Sequence, residues 1–149
     1  MRSTFPVAVH VLFLKDDAIL LLRRFNTGYE DGNYSVVAGH LEAGETVLQA
    51  AIRESYEEAG VRLEAEALRV GHVMHRRCED ERVDFFVVAE RWTGQIVNRE
   101  PLKCDELAWH PLAALPKNMI AYMRHGIACC RSGLFFSEFG WPDPARSES

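Results

Sequence analysis

The sequence predicts an α/β fold in which a mixed β-sheet lies between helices. Strand-like apolar runs stand on both sides of an amphipathic helix over about 46–59, and a second helical segment comes late, over 118–130. The chain has 149 residues, of which 48% are hydrophobic and 26% charged, which suits one globular domain over 1–149 with its own core. The residues from about 141 onward are predicted to form a frayed tail.

The strands are predicted from short apolar runs that polar residues interrupt. In chain order these runs cover 7–14, 18–22, 34–38, 67–76, 83–92 and 107–110. Asp16 and Asp17 mark a turn that makes the first two strands a hairpin, and the charged segment 78–81 marks another turn. The late helix is predicted to be capped at Asn118 and to end near Gly133.

The first helix is predicted from its ends and from one of its faces. Thr46 and Gln49 have the spacing of a capping box, and Gly60 stands where helices commonly end. The positions that should pack on the core are Leu48, Ile52, Ser55, Tyr56 and Ala59.

The opposite face of this helix carries three glutamates, and we expect it to be exposed. Glu54, Glu57 and Glu58 stand at i, i+3 and i+4, so their side chains share one face. Like charges at this spacing repel each other, and a divalent cation relieves the repulsion. Carboxylate oxygens suit Mg²⁺ and Mn²⁺. The alternative is a solvated acidic face with helical ion pairs such as Arg53 with Glu57.

Residues 39–61 resemble the signature of the Nudix family. The charged and glycine positions of that signature are all present, as Gly39, Glu45, Arg53, Glu54, Glu57, Glu58 and Gly60. Ser55 replaces the usual aliphatic residue, and Val37-Ala38 replaces the Pro-Gly that usually precedes the first glycine. The resemblance implies an α/β/α sandwich and hydrolysis of a nucleoside diphosphate linked to another group, with Mg²⁺, or Mn²⁺, as cofactor.

The resemblance also implies roles for the residues of the signature. It assigns the metal to oxygen ligands from the Gly39 carbonyl and from the carboxylates of Glu54, Glu57 and Glu58. Glu54 or Glu57 would in addition orient or deprotonate the attacking water. Arg53 would pair with Glu45 or Glu54 and fix the acids in place, and Glu45 would tie the loop to the helix.

A second resemblance concerns the substrate. Residues 98–104, together with Trp109 and with 115–116, resemble a stretch of MutT-like nucleoside triphosphate diphosphatases. This implies cleavage of a nucleoside triphosphate, modified or not, to a monophosphate and pyrophosphate. The alternatives are a hydrolase of another nucleoside diphosphate-X (a sugar nucleotide, dinucleotide or cap) and a non-catalytic nucleotide-binding Nudix domain.

Candidate substrate contacts outside the signature are Arg23, Arg24, Glu100 and His75. The two arginines end a strand and could hold phosphates. The histidine ends a strand that should line the pocket, with a structural hydrogen bond as the alternative. Glu100 competes with Asp105 and Glu106 to be the acid outside the signature that many relatives use. Phe25 and Tyr34 are weaker candidates for stacking on a base.

The net charge and the spacing of the cysteines limit the classes of binding partner and the cellular compartment that we expect. A net charge of −5 and the lack of a basic run argue against a surface that coats nucleic acid, although metal ions allow a polyphosphate into an acidic pocket. No apolar run approaches the ~20 residues that span a bilayer, and no secretory leader is expected. The four cysteines lack CxxC spacing and are predicted to be reduced thiols in a cytoplasmic protein. We expect a small nucleotide as partner, and family resemblance makes a homodimer plausible.

Overall fold

The computed structural model describes residues 2–142. Its elements in chain order are β1 (Val7–Lys15), β2 (Ala18–Arg24), β3 (Tyr34–Ser35), β4 (Val37–His40), α1 (Val47–Ala59), β5 (Leu68–Arg77), β6 (Glu81–Ala89), β7 (Cys104–Pro111), α2 (Ala121–Arg131) and β8 (Phe136–Phe139). Short 3-10 turns cover Ala65–Ala67 and Leu112–Ala114. Most of the predicted tail, 143–149, lies outside the described residues.

Strand β1 lies between two partners that come from distant parts of the chain. Val9 stands opposite Gly39 of the antiparallel β4 and opposite Phe85 of the parallel β6. The predicted hairpin forms at Asp16 and Asp17, but β1 and β2 pair only next to the turn. Strand β2 then pairs with β3 and β7, while β6 continues the sheet through β5 to β8. The sheet is therefore mixed, as predicted.

The two helices cover opposite faces of this sheet. Val11 and Phe13 share one core cluster with Ala51 and Ala59 of α1. Leu12, which points to the other face, belongs to a second cluster that contains Met123 and Ile127 of α2. The predicted fold class, an α/β fold with a mixed sheet between helices, is confirmed.

Helix α1 has the predicted ends and, except at Tyr56, the predicted buried face. Thr46 and Gln49 form both bonds of the capping box, and Gly60 ends the helix in the left-handed conformation. Ala50 and Ala51 are fully buried, whereas Tyr56 is 43% exposed, so the prediction that Tyr56 packs on the core is wrong. Its ring lies instead near two guanidinium groups that come from outside the helix.

The structure differs from the sequence predictions at three further places. Asn118 does not cap α2, which begins at Ala121; its amide instead donates to the carbonyl of Gly32. Strand β8 was not predicted, and it forms because Phe136–Phe139 pairs in parallel with β5. The predicted strand 34–38 is divided into β3 and β4. Across residues 2–142, none of the helices combines the length and apolar character required to cross a membrane.

Candidate functional site

The signature over residues 39–61 is folded so that the end of β4 lies against helix α1. Gly39 has no side chain, and a Cβ built there would overlap the carboxylate of Glu54. Residues 41–46 then turn the chain into α1, and the Glu45 carboxylate accepts a hydrogen bond from the backbone N–H of Glu42 at 3.1 Å. The glycine thus allows the backbone to approach a helical carboxylate closely.

Arg53 holds the acidic residues in place. Its Nε and Nη2 atoms donate to Glu45 at 2.8 and 3.0 Å, and its Nη1 atom donates to Glu54 at 2.7 Å and to Glu57 at 3.4 Å. Nη2 also donates to the carbonyl of His40. Both pairings that the sequence left open therefore occur. The hydrogen bond from Arg53 lowers the pKa of Glu45, and the same bond raises the pKa of Arg53.

The acidic face is less exposed than the sequence predicted. The side chain of Glu57 is 50% exposed, but that of Glu54 is only 13% exposed. The Oε2 atom of Glu58 is shielded from solvent and has no hydrogen-bond partner among residues 2–142. Burial raises the pKa of Glu58, and the neighbouring carboxyl groups of Glu54 and Glu100 raise it further. A hydrogen bond with the Ala38 backbone opposes this rise, but the unpartnered Oε2 atom still needs a compensating charge.

The donor set fits a hard divalent cation, although no metal geometry is preformed. No three His, Cys, Asp or Glu side chains stand close enough to hold an ion anywhere in residues 2–142. Arg53 holds Glu54 in the present arrangement, and Glu57 is turned partly to solvent. A divalent cation would provide a partner for the Oε2 atom of Glu58 and would reduce the repulsion between the carboxylates of Glu58 and Glu54. On donor chemistry the predicted ligands fit the ion.

A cavity of about 410 Å³ opens next to the signature, on the α2 side of β1. Gly39 and His40 border it, so the loop that contacts Glu54 also contacts this space. Its lining is rich in arginine and tyrosine, with Arg24, Arg76, Arg82, Tyr29 and Tyr122 among its residues. Arg82 is paired with Asp80, which also lines the cavity, and Arg76 is paired with Asp84, so Arg24 is the guanidinium left to favour an anionic ligand.

The structure separates the two candidate arginines. Arg24 lines the cavity, where its guanidinium donates to the Tyr29 carbonyl at 2.7 Å and to the Thr27 hydroxyl at 3.1 Å. Arg23 is not among the lining residues and pairs with the carboxylate of Asp105 at 2.7 Å. Of the two, Arg24 is the one placed to meet a ligand.

His75 lies away from the cavity, although its end of β5 lines the cavity through Arg76. Side chains alternate along β5, so Arg76 lines the cavity while His75 faces the other way. The His75 imidazole is hydrogen-bonded to Glu81 at 2.9 Å and packs against Trp141, with ring centroids 4.7 Å apart. His75 therefore makes the structural hydrogen bond that the sequence predicted as the alternative to a substrate contact.

The three acids outside the signature also differ in their surroundings. Asp105 is paired with Arg23, and Glu106 accepts a hydrogen bond from the Tyr34 hydroxyl. The charge of Glu100 acts on Glu58, because the backbone after residue 97 packs against the end of α1. Glu100 is therefore the acid of the three that lies beside the signature. Of the two candidates for stacking on a base, Tyr34 has its hydroxyl hydrogen-bonded to Glu106, and Phe25 is 46% exposed.

Three residues of the site were not named as candidates from the sequence. His10 and Asp84 are buried polar residues within otherwise apolar strands, and Arg76 joins them beside the cavity. A histidine inside the apolar run 7–14 and an aspartate inside 83–92 were visible signals. Only the fold shows that the two meet, since they are 74 positions apart in the chain.

Comparison with known proteins identifies the family. The family model for the NUDIX domain matches residues 4–128. The chain belongs to the Nudix family. Over 106 residues, 71% of its length, it is 35% identical to the NAD-capped RNA hydrolase NudC of Pseudomonas aeruginosa (strain LESB58), of which it covers 36%. It is also 34% identical over 91 residues, 58% of its length, to the putative mutator protein MutT4 of Mycobacterium tuberculosis, covering 36%. This Nudix chain spans about a third or less of the length of such curated relatives.

Solved structures agree on the fold. A MutT NUDIX hydrolase from Burkholderia pseudomallei superposes with a TM-score of 0.77 at 24% identity, covering 85% of this chain and 98% of that one. A structure named as an ADP compounds hydrolase gives a TM-score of 0.70 at 24% identity, covering 89% and 74% of the two chains. At these identities the likeness establishes the Nudix fold.

Proposed function

We propose that this Nudix domain hydrolyses a nucleoside triphosphate, modified or not, to a nucleoside monophosphate and pyrophosphate. The observation that carries the proposal is the position of Gly39, which borders the glutamates of α1 and also the arginine-lined cavity. A nucleotide held in that cavity extends its phosphates past Gly39 toward the acidic cluster. Transfer of a phosphoryl or nucleotidyl group requires charge neutralisation and a positioned water more than a protein nucleophile.

The proposal gives the acidic cluster to a divalent cation. Mg²⁺, or Mn²⁺, when bound by Glu54, Glu57, Glu58 and the Gly39 carbonyl, supplies positive charge for the polyphosphate. Glu54 or Glu57 orients or deprotonates the attacking water. Arg53 and Glu45 hold these carboxylates in position, and Glu100 is the acid outside the signature that adds to the cluster.

Arg24 is the proposed phosphate contact of the cavity. Its guanidinium is anchored by uncharged acceptors, Tyr29 and Thr27, and has no carboxylate within ion-pair distance in the described part of the chain. Its positive charge therefore stays available to an anion. Arg23 lacks this freedom, because Asp105 already neutralises it.

A second candidate is hydrolysis of another nucleoside diphosphate-X, such as a sugar nucleotide, dinucleotide or cap. The match to a protein named as an NAD-capped RNA hydrolase favours it. A non-catalytic nucleotide-binding domain is less well supported, because every acid of the signature is retained. We place the reaction in the cytoplasm, consistent with four free cysteines, assign 1–149 to a single Nudix domain, and leave the homodimer as a prediction.

Product analysis tests the proposal. The purified protein is incubated with nucleoside triphosphates, NAD, a sugar nucleotide and capped RNA, with Mg²⁺ or with EDTA, and the products are separated by ion-exchange chromatography. Pyrophosphate and a monophosphate in equal amounts, formed only with the metal, support the proposal. Two phosphorylated products without pyrophosphate support the second candidate. Glu57→Gln should be inactive, and Glu66→Gln, an exposed acid outside the signature, serves as the matched control.

A further inference from the structure

A buried network of three polar residues forms one wall of the arginine-lined cavity. The side chains of His10 and Arg76 are 4% exposed and that of Asp84 is fully buried. The Asp84 carboxylate accepts from His10 Nε2 at 2.9 Å and from Arg76 Nε and Nη2 at 2.6 and 3.2 Å. Well-packed apolar residues of similar size often stabilise a fold as well as a buried ion pair does, so the presence of this pair beside a ligand cavity points to recognition.

The network fixes the orientation of the Arg76 guanidinium and balances its positive charge with the carboxylate of Asp84. Burial alone would raise the pKa of Asp84, but the hydrogen bonds from His10 and Arg76 outweigh it and hold the pKa at about 2. Asp84 is therefore ionised at neutral pH and balances the guanidinium charge within 3 Å. The Arg76–Asp84 pair therefore carries no net charge.

One edge of the Arg76 guanidinium remains free. Nε and Nη2 are bound to Asp84, whereas Nη1 has no oxygen or nitrogen acceptor among residues 2–142; the Cys78 side chain also interacts with this guanidinium. Arg76 lines the cavity, and Nη1 is the guanidinium nitrogen that Asp84 leaves unbound. The Tyr122 ring covers one face of the guanidinium, with its centroid 3.5 Å from Cζ. The free edge is thus held in one orientation.

We propose that Arg76 is a specificity-determining residue whose free edge donates to a carbonyl oxygen of the nucleobase. The inference rests on the proposed function in that the ligand of the cavity is a nucleotide. A neutralised and fixed donor suits an uncharged acceptor, whereas Arg24, which makes no ion pair among the described residues, suits the phosphates. The site therefore selects bases with a carbonyl at the recognised position, namely 6-oxopurines and uracil or thymine, over adenine and cytosine with an amino group there.

Binding of nucleoside 5′-monophosphates tests this without relying on hydrolysis. Titration calorimetry without metal compares GMP and UMP with AMP and CMP. We expect the first two to bind at least about 10-fold more tightly, the discrimination typical of a good arginine contact to a base. Pyrophosphate release from triphosphates is measured separately, so loss of catalysis contradicts the proposed function without touching this inference.

Three variants separate recognition from folding. Arg76→Lys keeps the positive charge but loses the planar fork, and should bind all four monophosphates with similar affinity. The double variant Arg76→Gln/Asp84→Asn removes both charges together, which avoids a buried unpaired ion, and should also lose the preference. Arg77→Gln changes the adjacent, exposed arginine of β5 and should keep the preference of the wild type.

The outcomes divide cleanly. A preference for GMP and UMP that both Arg76 variants lose and Arg77→Gln keeps supports the inference. Equal binding of the four monophosphates by the wild type overturns it, as does a preference for AMP or CMP. Failure of every monophosphate to bind also overturns it, and so does a folded Arg76→Lys protein that discriminates as well as the wild type.

Discussion

Nη1 of Arg53 lies 2.7 Å from Oε1 of Glu54. The same guanidinium holds Glu45 through two further bonds, so one side chain joins the loop after β4 to the acidic face of α1. Arg53 thereby restricts the rotamer of a proposed metal ligand. A cation bound by Glu54 would take over part of this contact, so we assign Arg53 the role of positioning the Glu54 carboxylate. Loss of Arg53 should therefore affect turnover more than folding.

Replacing Arg53 by Gln should lower kcat by about 10- to 100-fold, the range seen when groups that orient metal ligands are lost. KM for the nucleotide should change less, because Arg53 does not line the cavity. Steady-state kinetics at several Mg²⁺ concentrations check this. An unchanged kcat at low Mg²⁺ would remove Arg53 from the positioning role. Arg131→Gln, an exposed arginine of α2, is the control.

Replacing Glu58 by Gln should lower turnover by at least about 100-fold, since a preorganised charge beside the reacting phosphates is lost. The fold should persist, because the substitution removes a buried charge whose Oε2 atom has no protein partner. Kinetics and thermal unfolding in EDTA are measured together. Near-normal activity at saturating Mg²⁺ would defeat the assignment of Glu58 to the metal.

Metal binding should stabilise the wild type through the same cluster. A ligand that binds only the folded state raises its stability, so Mg²⁺ or Mn²⁺ should raise the melting temperature and EDTA should reverse the rise. The double variant Glu54→Gln/Glu58→Gln should lose this response. If the double variant shows the same rise as the wild type, the ion binds elsewhere.

Replacing Gly39 by Ala should abolish most activity while leaving the protein folded. The new methyl group overlaps the Glu54 carboxylate, which can swing away because it is the end of a flexible side chain. Activity falls since that carboxylate leaves its position beside the signature loop. Circular dichroism and kinetics are compared with Ala43→Gly, a change at an exposed loop position. A fully active Gly39→Ala protein would show that the close approach is not needed.

Asp84 should contribute stability that acid removes. Its folded pKa is about 2 and its ordinary value is 3.8, so the contribution is complete above about pH 4 and is lost as the pH falls toward 2. The shift corresponds to roughly 2–3 kcal/mol. Asp84→Asn should therefore lower the free energy of unfolding at neutral pH, and its difference from the wild type should shrink below about pH 4.

Urea titrations from about pH 7 to pH 2 measure this difference. Asp105→Asn is the matched control, because its pairing with Arg23 is at the surface and its loss should have a much smaller effect. A difference between Asp84→Asn and the wild type that stays constant down to pH 2 would contradict the assigned pKa.

The signature and helix α1 could be predicted because their signals are local. Thr46, Gln49 and Gly60 act within a few residues of the ends they define, and the spacing of the glutamates sets their shared face. The exposure of that face could not be predicted in the same way. Glu58 is shielded because a later segment packs there, with the backbone N–H of Arg99 donating to the carbonyl of Glu58.

Tyr56 and β8 were mispredicted for a related reason. The ring of Tyr56 lies 5.5 Å from the guanidinium of Arg62 and 4.8 Å from that of Arg99, both supplied by segments beyond α1. Strand β8 is short, and its place in the sheet depends on its parallel pairing with β5. The cavity wall likewise requires His10 and Asp84 to meet across the β1–β6 pair, which no local pattern specifies.

The pairing of Val9 with both Gly39 and Phe85 has a consequence for biosynthesis. The strand that supports the signature loop is translated before all of its partners, and Phe85 of its parallel neighbour β6 follows Val9 by 76 positions. Until β6 has emerged, β1 has only β4 and the turn end of β2 as strand partners and lacks the parallel neighbour that links it to β5 and β8, so the sheet is incomplete. Nascent chains stalled before residue 89 should therefore be open to proteases, and resistance should arise abruptly once that strand clears the exit tunnel.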